Sequence, residues 1–464
     1  DSSSLSSSSA LSSISTWRRI LLCAFVLAGV IAPRGGFADE PSFLSDVAPI
    51  LIDKCLACHG PEKSSGRYRL DTFERLLTSG RSKRPPIVAG NARDSLIYSL
   101  LVHKRTSRRM PKKSDPLPAN EISIVERWIV SGAHFDGDRK AALHTLAPTH
   151  YPRAPEPYPA PVPVTALAFS PLGDEIAASG YREVTVWSTN DASFRRRIPK
   201  LEQRTFALAY HPSEAILAIA GGTPGRRGEV TLVNPQTGEI LRRLAISTDA
   251  HLDLAFSPDG SQLAIAAADG SVRVAPTQGV RVRTIKAHAD WVLALAWNDD
   301  GTRLATASRD KTAKVFDVKL GRLDRTYSGH GDVVSGVAFL PNGDIWSAGR
   351  DRKLHRWNSN DGKRRQTLGG ANGEIYRVVV AGDSLFSSCA DGVAREHASE
   401  GTSKRRSYGS GEQEAVLSLS VHAASSRLAT GSFDGTVRIY TTKGDGKELT
   451  FFVASPPPRA VRRF

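Results

Sequence analysis

The chain has 464 residues, more than a typical domain of 100–200 residues, so we expect at least two folded units. Hydrophobic residues make up 40% and charged residues 23%, a composition that excludes wholesale disorder and a multispan membrane protein. Lys plus Arg number 62 against 47 Asp plus Glu, and the resulting net charge of +15 favours acidic partners. Four cysteines in this length exclude a scaffold stapled by disulfides.

The N-terminal residues have the layout of an export signal. Residues 1–16 contain ten serines, and two arginines then precede the 13-residue apolar run from Ile20 to Ala32. Such a run is short for a bilayer span but suits the core of a signal peptide, with cleavage before Asp39. Retention as an uncleaved membrane anchor is the alternative. We predict a Ser-rich leader and signal peptide over residues 1–38, with the remaining chain exported to the periplasm or cell envelope.

The segment CLACH, from Cys55 to His59, is the most specific motif. Thiols three positions apart can form thioethers with the two vinyl groups of one haem, and the adjoining His59 then ligates the iron. A zinc site would need about four ligands, but the remaining cysteines, Cys23 and Cys389, lie far from Cys58. A redox dithiol would favour a strand–helix context, whereas a helical pattern precedes this motif. The motif therefore predicts one covalently attached haem c.

A six-coordinate haem needs a second axial ligand, and the single methionine, Met110, lies in a Pro-bounded loop after the motif. Methionine opposite histidine raises the reduction potential and leaves no position for a substrate. His103 is the alternative ligand. Further on, Asn120 is predicted to cap a helix that carries Trp128 as core and ends at Gly132.

Six basic residues surround the predicted methionine ligand. A cationic rim at the haem edge would steer an acidic redox partner, with rates that fall as salt rises. The alternative is a solvated loop that partly neutralises the haem propionates. Nucleic-acid binding fits poorly because no aromatic residues are interleaved. The six residues are Lys104, Arg105, Arg108, Arg109, Lys112 and Lys113.

The stretch from about 42 to 137 resembles the planctomycete-type cytochrome c family. The resemblance implies a small all-α haem domain, which we place at residues 39–137, with His59 and Met110 as the axial pair. The matching pieces are DVAPIL before the motif, CLACHG itself, the segment around Leu70 and Asp71, Arg109-Met110-Pro111, and the closing WI-x-x-GA from Trp128 to Ala133.

Residues 138–163 contain seven prolines and predict a semi-rigid, extended linker rather than a packed element. Strand patterns with Gly-rich turns follow, and their apolar ends recur at intervals of 41, 46, 41, 42, 41 and 41 residues. Six such intervals mark seven copies of one unit. The recurring residues are Phe169, Tyr210, Phe256, Trp297, Phe339, Val380 and Val421.

These copies resemble the WD-repeat family, which implies an all-β, closed seven-bladed propeller over residues 164–453, followed by a Pro/Arg-rich tail over 454–464. The longer interval in the second copy comes from residues 221–229, which we interpret as a surface insertion. In the fifth copy, a structural hydrogen-bonded network is predicted rather than a catalytic triad. Its members are His330, Ser347, Asp351 and Trp357.

The leading functional hypothesis is an exported monohaem cytochrome, fused to a propeller that binds another protein. It would transfer electrons by an outer-sphere route and would not be an enzyme. One alternative is a haem enzyme or gas sensor in which Met110 dissociates, with His103 as the only local candidate for a distal base. A second alternative is a propeller scaffold with a redox-responsive haem attachment.

Overall fold

The chain forms helices first and strands afterwards in the computed structural model, which describes residues 41–456 apart from 62, 113, 138, 141–142, 144–150, 152, 226, 280–281 and 410–413. The signal segment and most of the C-terminal tail therefore lie outside the described residues, as does Lys113. The helical elements are a π-helix Phe43–Val47, α1 Ala48–Lys54, α2 Leu56–His59, a 3₁₀-helix Ser65–Arg67, α3 Phe73–Leu76, α4 Leu96–Leu101 and α5 Ala119–Val130.

An aromatic cluster holds these short helices together. The rings of Phe43 and Phe73 meet edge to face at 4.9 Å, and Phe135 stacks on Phe73 at 4.1 Å. Trp128 is buried beside them, and its indole N–H donates to the His134 carbonyl at 2.8 Å. Helices of four to seven residues are marginal alone, so this packing supplies their stability. Trp128 is thus a core residue, as predicted.

Helix α5 begins differently from the prediction. Pro118 is the N-cap, with φ −55°, and no side chain caps the helix. Asn120 lies inside the first turn, so the prediction of an Asn120 cap is wrong. Pro118 lacks an N–H, and its fixed φ suits a helix start without a capping side chain. Val125 and Ile129 face the core as the apolar spacing predicts.

The predicted seven-bladed propeller is confirmed. Seven four-stranded sheets are described, each built from four consecutive antiparallel strands. Blade 1 comprises β1 Leu167–Phe169, β2 Glu175–Ser179, β3 Val184–Ser188 and β4 Phe194–Ile198. Blade 2 comprises β5 Arg204–Tyr210, β6 Leu217–Thr223, β7 Arg227–Val233 and β8 Ile240–Ser247. Blade 3 comprises β9 His251–Phe256, β10 Gln262–Ala267, β11 Ser271–Pro276 and β12 Arg283–Lys286. Blade 4 comprises β13 Val292–Trp297, β14 Arg303–Ser308, β15 Ala313–Asp317 and β16 Arg322–Tyr327, and blade 5 comprises β17 Val334–Phe339, β18 Asp344–Gly349, β19 Leu354–Asn358 and β20 Arg364–Leu368. Blade 6 comprises β21 Ile375–Ala381, β22 Ser384–Cys389, β23 Ala394–Ala398 and β24 Lys404–Tyr408. Blade 7 comprises β25 Val416–His422, β26 Arg427–Ser432, β27 Thr436–Thr441 and β28 Glu448–Val453.

The sequence repeat and the blades coincide, because each recurring residue falls in the first strand of its blade. The second blade corrects one detail. Its extra residues lengthen β6 and β7 into a paired hairpin, with Thr223 opposite Arg227. The segment is therefore mainly strand rather than a surface loop. Cys389 ends β22 and is buried, as expected of a small apolar residue.

The ring closes between blades 1 and 7 without any exchange of strands. The Val164 N–H donates to the Ser432 carbonyl at 3.1 Å, and the Ser418 hydroxyl donates to the Val164 carbonyl at 2.7 Å. The Trp187 and Phe452 rings stack across the seam at 4.5 Å. Apolar packing and a few hydrogen bonds therefore hold blades 1 and 7 together.

The prediction of an unpacked linker is wrong for its described residues. Leu143 is fully buried in the helical core. Tyr158 donates to Glu183 at 2.6 Å, and Tyr151 donates to Glu229 at 2.5 Å. The two glutamates are buried and occupy equivalent positions in blades 1 and 2, each directly before a buried valine. A buried carboxylate needs donors, and each linker tyrosine supplies one. Glu229 also accepts from Thr231, Arg227 and Arg243.

In the described part of the chain, no helix is long and apolar enough to cross a membrane.

Candidate haem site

One helical turn carries Cys55, Cys58 and His59, the three functional residues of the CLACH motif. The last residues of α1 lead directly into it, with the Cys55 N–H donating to the Leu51 carbonyl at 3.0 Å. The N–H groups of Cys58 and His59 both donate to the Cys55 carbonyl at 3.1 Å. Cys55 is partly buried and Cys58 is exposed. Burial raises the pKa of the Cys55 thiol to about 12.

The His59 ring is held in one orientation. Its Nδ1 lies 3.2 Å from the Tyr68 carbonyl oxygen, which can only accept, so Nδ1 donates. Burial lowers the pKa of His59, and this favours the neutral ring. A neutral imidazole that donates from Nδ1 offers the Nε2 lone pair to a metal. The Tyr68 hydroxyl in turn donates to the Leu76 carbonyl at 2.9 Å, which holds the Tyr68 side chain against α3.

The backbone of Met110 is attached to helix α4. Its N–H donates to the Leu100 carbonyl at 3.0 Å. Helix α4 is itself fixed at its start, because the Leu96 and Ile97 N–H groups donate to the carbonyls of Pro85 and Pro86 at 3.1 Å. These bonds satisfy backbone donors that a helix N-terminus leaves unpaired. A short helix is thereby positioned to carry the methionine loop.

Cys55, His59 and Met110 line one cavity of about 400 Å³, although they are up to 55 residues apart. This volume falls in the range of small-molecule and cofactor pockets. The other lining residues are mostly apolar or glycine, and Arg81 is the single Lys, Arg, Asp or Glu among them. They are Ser65, Gly66, Tyr68, Leu70, Gly80, Arg81, Ser82, Pro86, Leu96, Ile97, Leu100 and Leu101.

The cavity fits a haem of the c type on the chemistry of its donors. An imidazole and a thioether are the usual axial donors of a cytochrome c, and apolar walls suit a porphyrin face. A thiol for attachment also lines the space, and its partner Cys58 sits in the same helical turn. The sequence reasoning missed Tyr68 and Arg81, since neither belongs to a recognisable motif.

His103 does not line this cavity. Its Nδ1 accepts the Arg105 N–H at 3.0 Å, which makes it part of the local turn. The described residues of the basic loop, namely Lys104, Arg105, Arg108, Arg109 and Lys112, are also outside the lining. Four of them are exposed and Arg109 is partly exposed. The loop therefore directs Met110 inward and its cations toward solvent.

The predicted network in blade 5 is confirmed. His330 Nδ1 donates to Asp351 at 2.9 Å, and its Nε2 lies 2.8 Å from the Ser347 hydroxyl. The Trp357 indole N–H donates to the same hydroxyl at 3.2 Å. Both ring nitrogens of His330 thus tie the segment before β17 to β18 and to the turn that follows β18. Blade 4 repeats the arrangement through His288, which contacts Asp310 and Thr306 at 2.8 Å each.

Comparisons with known proteins agree with this division of the chain. Residues 55–114 match the family model described as Planctomycete cytochrome C. Residues 241–274, 279–317, 321–358 and 403–441 match the WD40 model, described as WD domain, G-beta repeat. Each WD40 match combines the outer strand of one blade with the three inner strands of the next.

The ribosome biogenesis protein YTM1 of Candida glabrata is 30% identical over 124 residues, which are 26% of this chain and 22% of that protein. The chain thus spans about a fifth of the curated relative it matches. The chain joins a region of the Planctomycete cytochrome C type, at residues 55–114, to a seven-bladed propeller that contains WD40 repeats.

Proposed function

We propose that the protein is an exported monohaem cytochrome c that transfers electrons, with its propeller serving as a platform for a protein partner. The observation that carries this proposal is the convergence of Cys55, His59 and Met110 on one largely apolar cavity. When bound, the haem would supply reversible one-electron transfer. Export is inferred from the signal-like segment of the sequence. A protein partner is inferred from the common role of WD propellers as protein-binding surfaces.

Each residue has a defined task in this proposal. Cys55 and Cys58 attach the haem through thioethers. The Tyr68 carbonyl holds the His59 ring, whose Nε2 would ligate the iron. Leu100 holds the backbone of Met110, whose thioether would serve as the second iron ligand. Leu70, Leu101 and their neighbours exclude water from the cavity.

The alternative of a haem enzyme or gas sensor has less support. A peroxidase-like activity would need a base beside the open iron position. His103 was the local candidate, and it lies outside the cavity lining. An electron carrier needs no such base, and His59 and Met110, which line the same cavity, would both ligate the iron. The scaffold alternative keeps the same haem site and differs in whether the propeller's partner responds to the redox state.

The basic loop around Met110 is the surface we assign to the redox partner. Its described cations are exposed or partly exposed and lie outside the cavity, next to the methionine that does line it. An acidic protein surface would complement them, and the encounter rate would fall as salt rises.

Expression with a c-type cytochrome maturation system tests the proposal. The purified protein should stain for haem on a denaturing gel and show a low-spin spectrum with a thioether-to-iron band. The double variant Cys55→Ser/Cys58→Ser should lose the stain. Met110→Ala should keep the stain but lose the band and lower the potential, whereas His103→Ala should keep both. A correctly exported protein that is colourless and has the mass of the bare chain would overturn the proposal.

A further inference from the structure

The haem cavity has one polar side. Leu70 and Leu101 are buried in its wall, whereas Arg81 and Ser82 are exposed and Ser65 is partly exposed. Arg81 and Ser82 therefore lie at an edge of the cavity that solvent reaches, although Leu96 and Met110 of the lining are also partly exposed. A porphyrin with two propionates has the same division, because its ring is apolar and its carboxylates require water or a cation.

A tight turn delivers Arg81 to this opening. The Lys83 N–H donates to the Gly80 carbonyl at 3.1 Å, so Arg81 and Ser82 are the two central residues of the turn. The Arg81 N–H donates to the Gly66 carbonyl at 2.7 Å, which ties the turn to the segment that carries Tyr68. A side chain at residue 80 would come within 2.8 Å of the Gly66 oxygen, so this approach requires glycine.

Arg81 has no acidic partner among the residues that the structure describes. Many other arginines of the described chain pair with a carboxylate, such as Arg69 with Asp71 at 2.6 Å. A guanidinium beside an apolar cavity is well suited to bind a carboxylate through two parallel hydrogen bonds. The basic loop around Met110 does not compete for this role, because its described cations lie outside the lining.

We propose that Arg81 is the carboxylate-binding residue of the site and holds the propionates of the bound haem at the open side of the cavity. This inference rests on the proposed function. It assigns different tasks to two groups of cations: Arg81 serves the cofactor, and the loop around Met110 serves the partner.

The test compares haem-loaded Arg81→Gln with Arg84→Gln, which removes the same charge from an exposed position three residues away that does not line the cavity. Loss of a cation beside the haem favours the oxidised form. We expect the equilibrium constant for reduction by a fixed donor to fall about tenfold in Arg81→Gln, equivalent to about 59 mV for one electron. The potential of this variant should also become more dependent on pH, since an unpaired propionate holds its proton more tightly.

Arg84→Gln should change the potential much less, and Arg81→Lys, which keeps the charge, should remain near the unmutated protein. The lysine variant keeps the test decisive if the glutamine variant yields no haem protein, because a large potential shift in Arg81→Lys would contradict a role of charge. Equal potentials and pH profiles for Arg81→Gln and Arg84→Gln would overturn this inference alone. An unmutated protein without covalent haem would overturn both this inference and the proposed function.

Discussion

The indole of Trp187 stacks on the ring of Phe452 at 4.5 Å and 20°, although 265 residues separate them. The stack joins the third strand of blade 1 to the last strand of blade 7. Because no strand is shared across this seam, side-chain packing and a few hydrogen bonds hold the ring closed. Truncating an aromatic side chain at this seam should therefore destabilise the whole propeller.

We expect Phe452→Ala to lower the free energy of unfolding by about 3 kcal/mol, since it removes a buried ring and leaves a cavity. The neighbouring Phe451 is a matched control, because it is 57% exposed whereas Phe452 is 7% exposed. Phe451→Ala should cost less than about 1 kcal/mol. Urea unfolding followed by tryptophan fluorescence checks both variants, and equal losses would contradict closure by this stack.

Tyr158→Phe should loosen the linker on blade 1, where the ion pair of Arg197 with Glu156 remains. The substitution leaves the buried Glu183 carboxylate without its 2.6 Å donor, at a cost of about 1–2 kcal/mol. Trypsin should then cut after the exposed Arg153 several-fold faster in native protein. Tyr376→Phe, on blade 6, removes a hydroxyl far from the linker and should leave the cleavage rate unchanged. An unchanged rate in Tyr158→Phe would show that the hydrogen bond does not hold the linker.

Gly80→Ala should disturb the cavity. The new Cβ would lie 2.8 Å from the Gly66 oxygen and 2.9 Å from the Tyr68 Cβ, so the backbone that orients His59 must shift. We expect a loss of about 1–3 kcal/mol in unfolding free energy and a weakened thioether-to-iron band. Gly369→Ala, where no atom lies within 4 Å of the added Cβ, is the control. Identical unfolding curves for both variants would contradict the close approach at Gly80.

Acid should destabilise the propeller through His355. Burial lowers its pKa to about 4, below the usual value of 6.5, so the unfolded chain binds the proton more readily. The contribution of neutral His355 to the free energy of unfolding is therefore fully present above about pH 6.5. It is lost as the pH falls toward 4, by up to about 1.4 kcal/mol per pH unit. His355→Gln, whose amide can still hydrogen-bond the Tyr327 hydroxyl, should flatten this slope in urea unfolding at pH 7, 6 and 5. Parallel slopes in the two proteins would exclude His355 as the source.

Reversing charges in the basic loop should slow reactions with anions. We expect the double variant Arg105→Glu/Arg108→Glu to react several-fold more slowly with the trianion hexacyanoferrate(III) at low salt, because attraction becomes repulsion. Raising the salt concentration should narrow the difference in rate between this variant and the unmutated protein. Lys443→Glu, an exposed position on blade 7, is the control and should react at the unmutated rate. Stopped-flow oxidation of the reduced protein measures all three rates, and a loop variant as fast as the control would contradict docking at this loop.

Local patterns in the sequence determined the type of each region. The spacing of Cys55, Cys58 and His59 carries the haem prediction, since attachment chemistry acts within one helical turn. The recurrence of residues such as Trp297 and Phe339 at nearly constant intervals predicts the blades, because each repeat folds as one unit. The blade 5 network was also predictable, because the fifth copy resembles a WD repeat at His330, Ser347, Asp351 and Trp357.

Tertiary structure alone decided which distant residues meet. The orientation of His59 depends on a backbone oxygen at Tyr68, and any residue type supplies such an oxygen, so no pattern could reveal it. Arg81 looks like any other surface arginine until the turn at Gly80 brings it to the cavity. The proline content of the linker predicted an extended chain that does not pack, but Glu183 and Glu229, both buried, accept hydrogen bonds from its tyrosines and tie it to the propeller. Long-range packing and the need to pair buried polar groups set these contacts, and neither leaves a local signal in the chain.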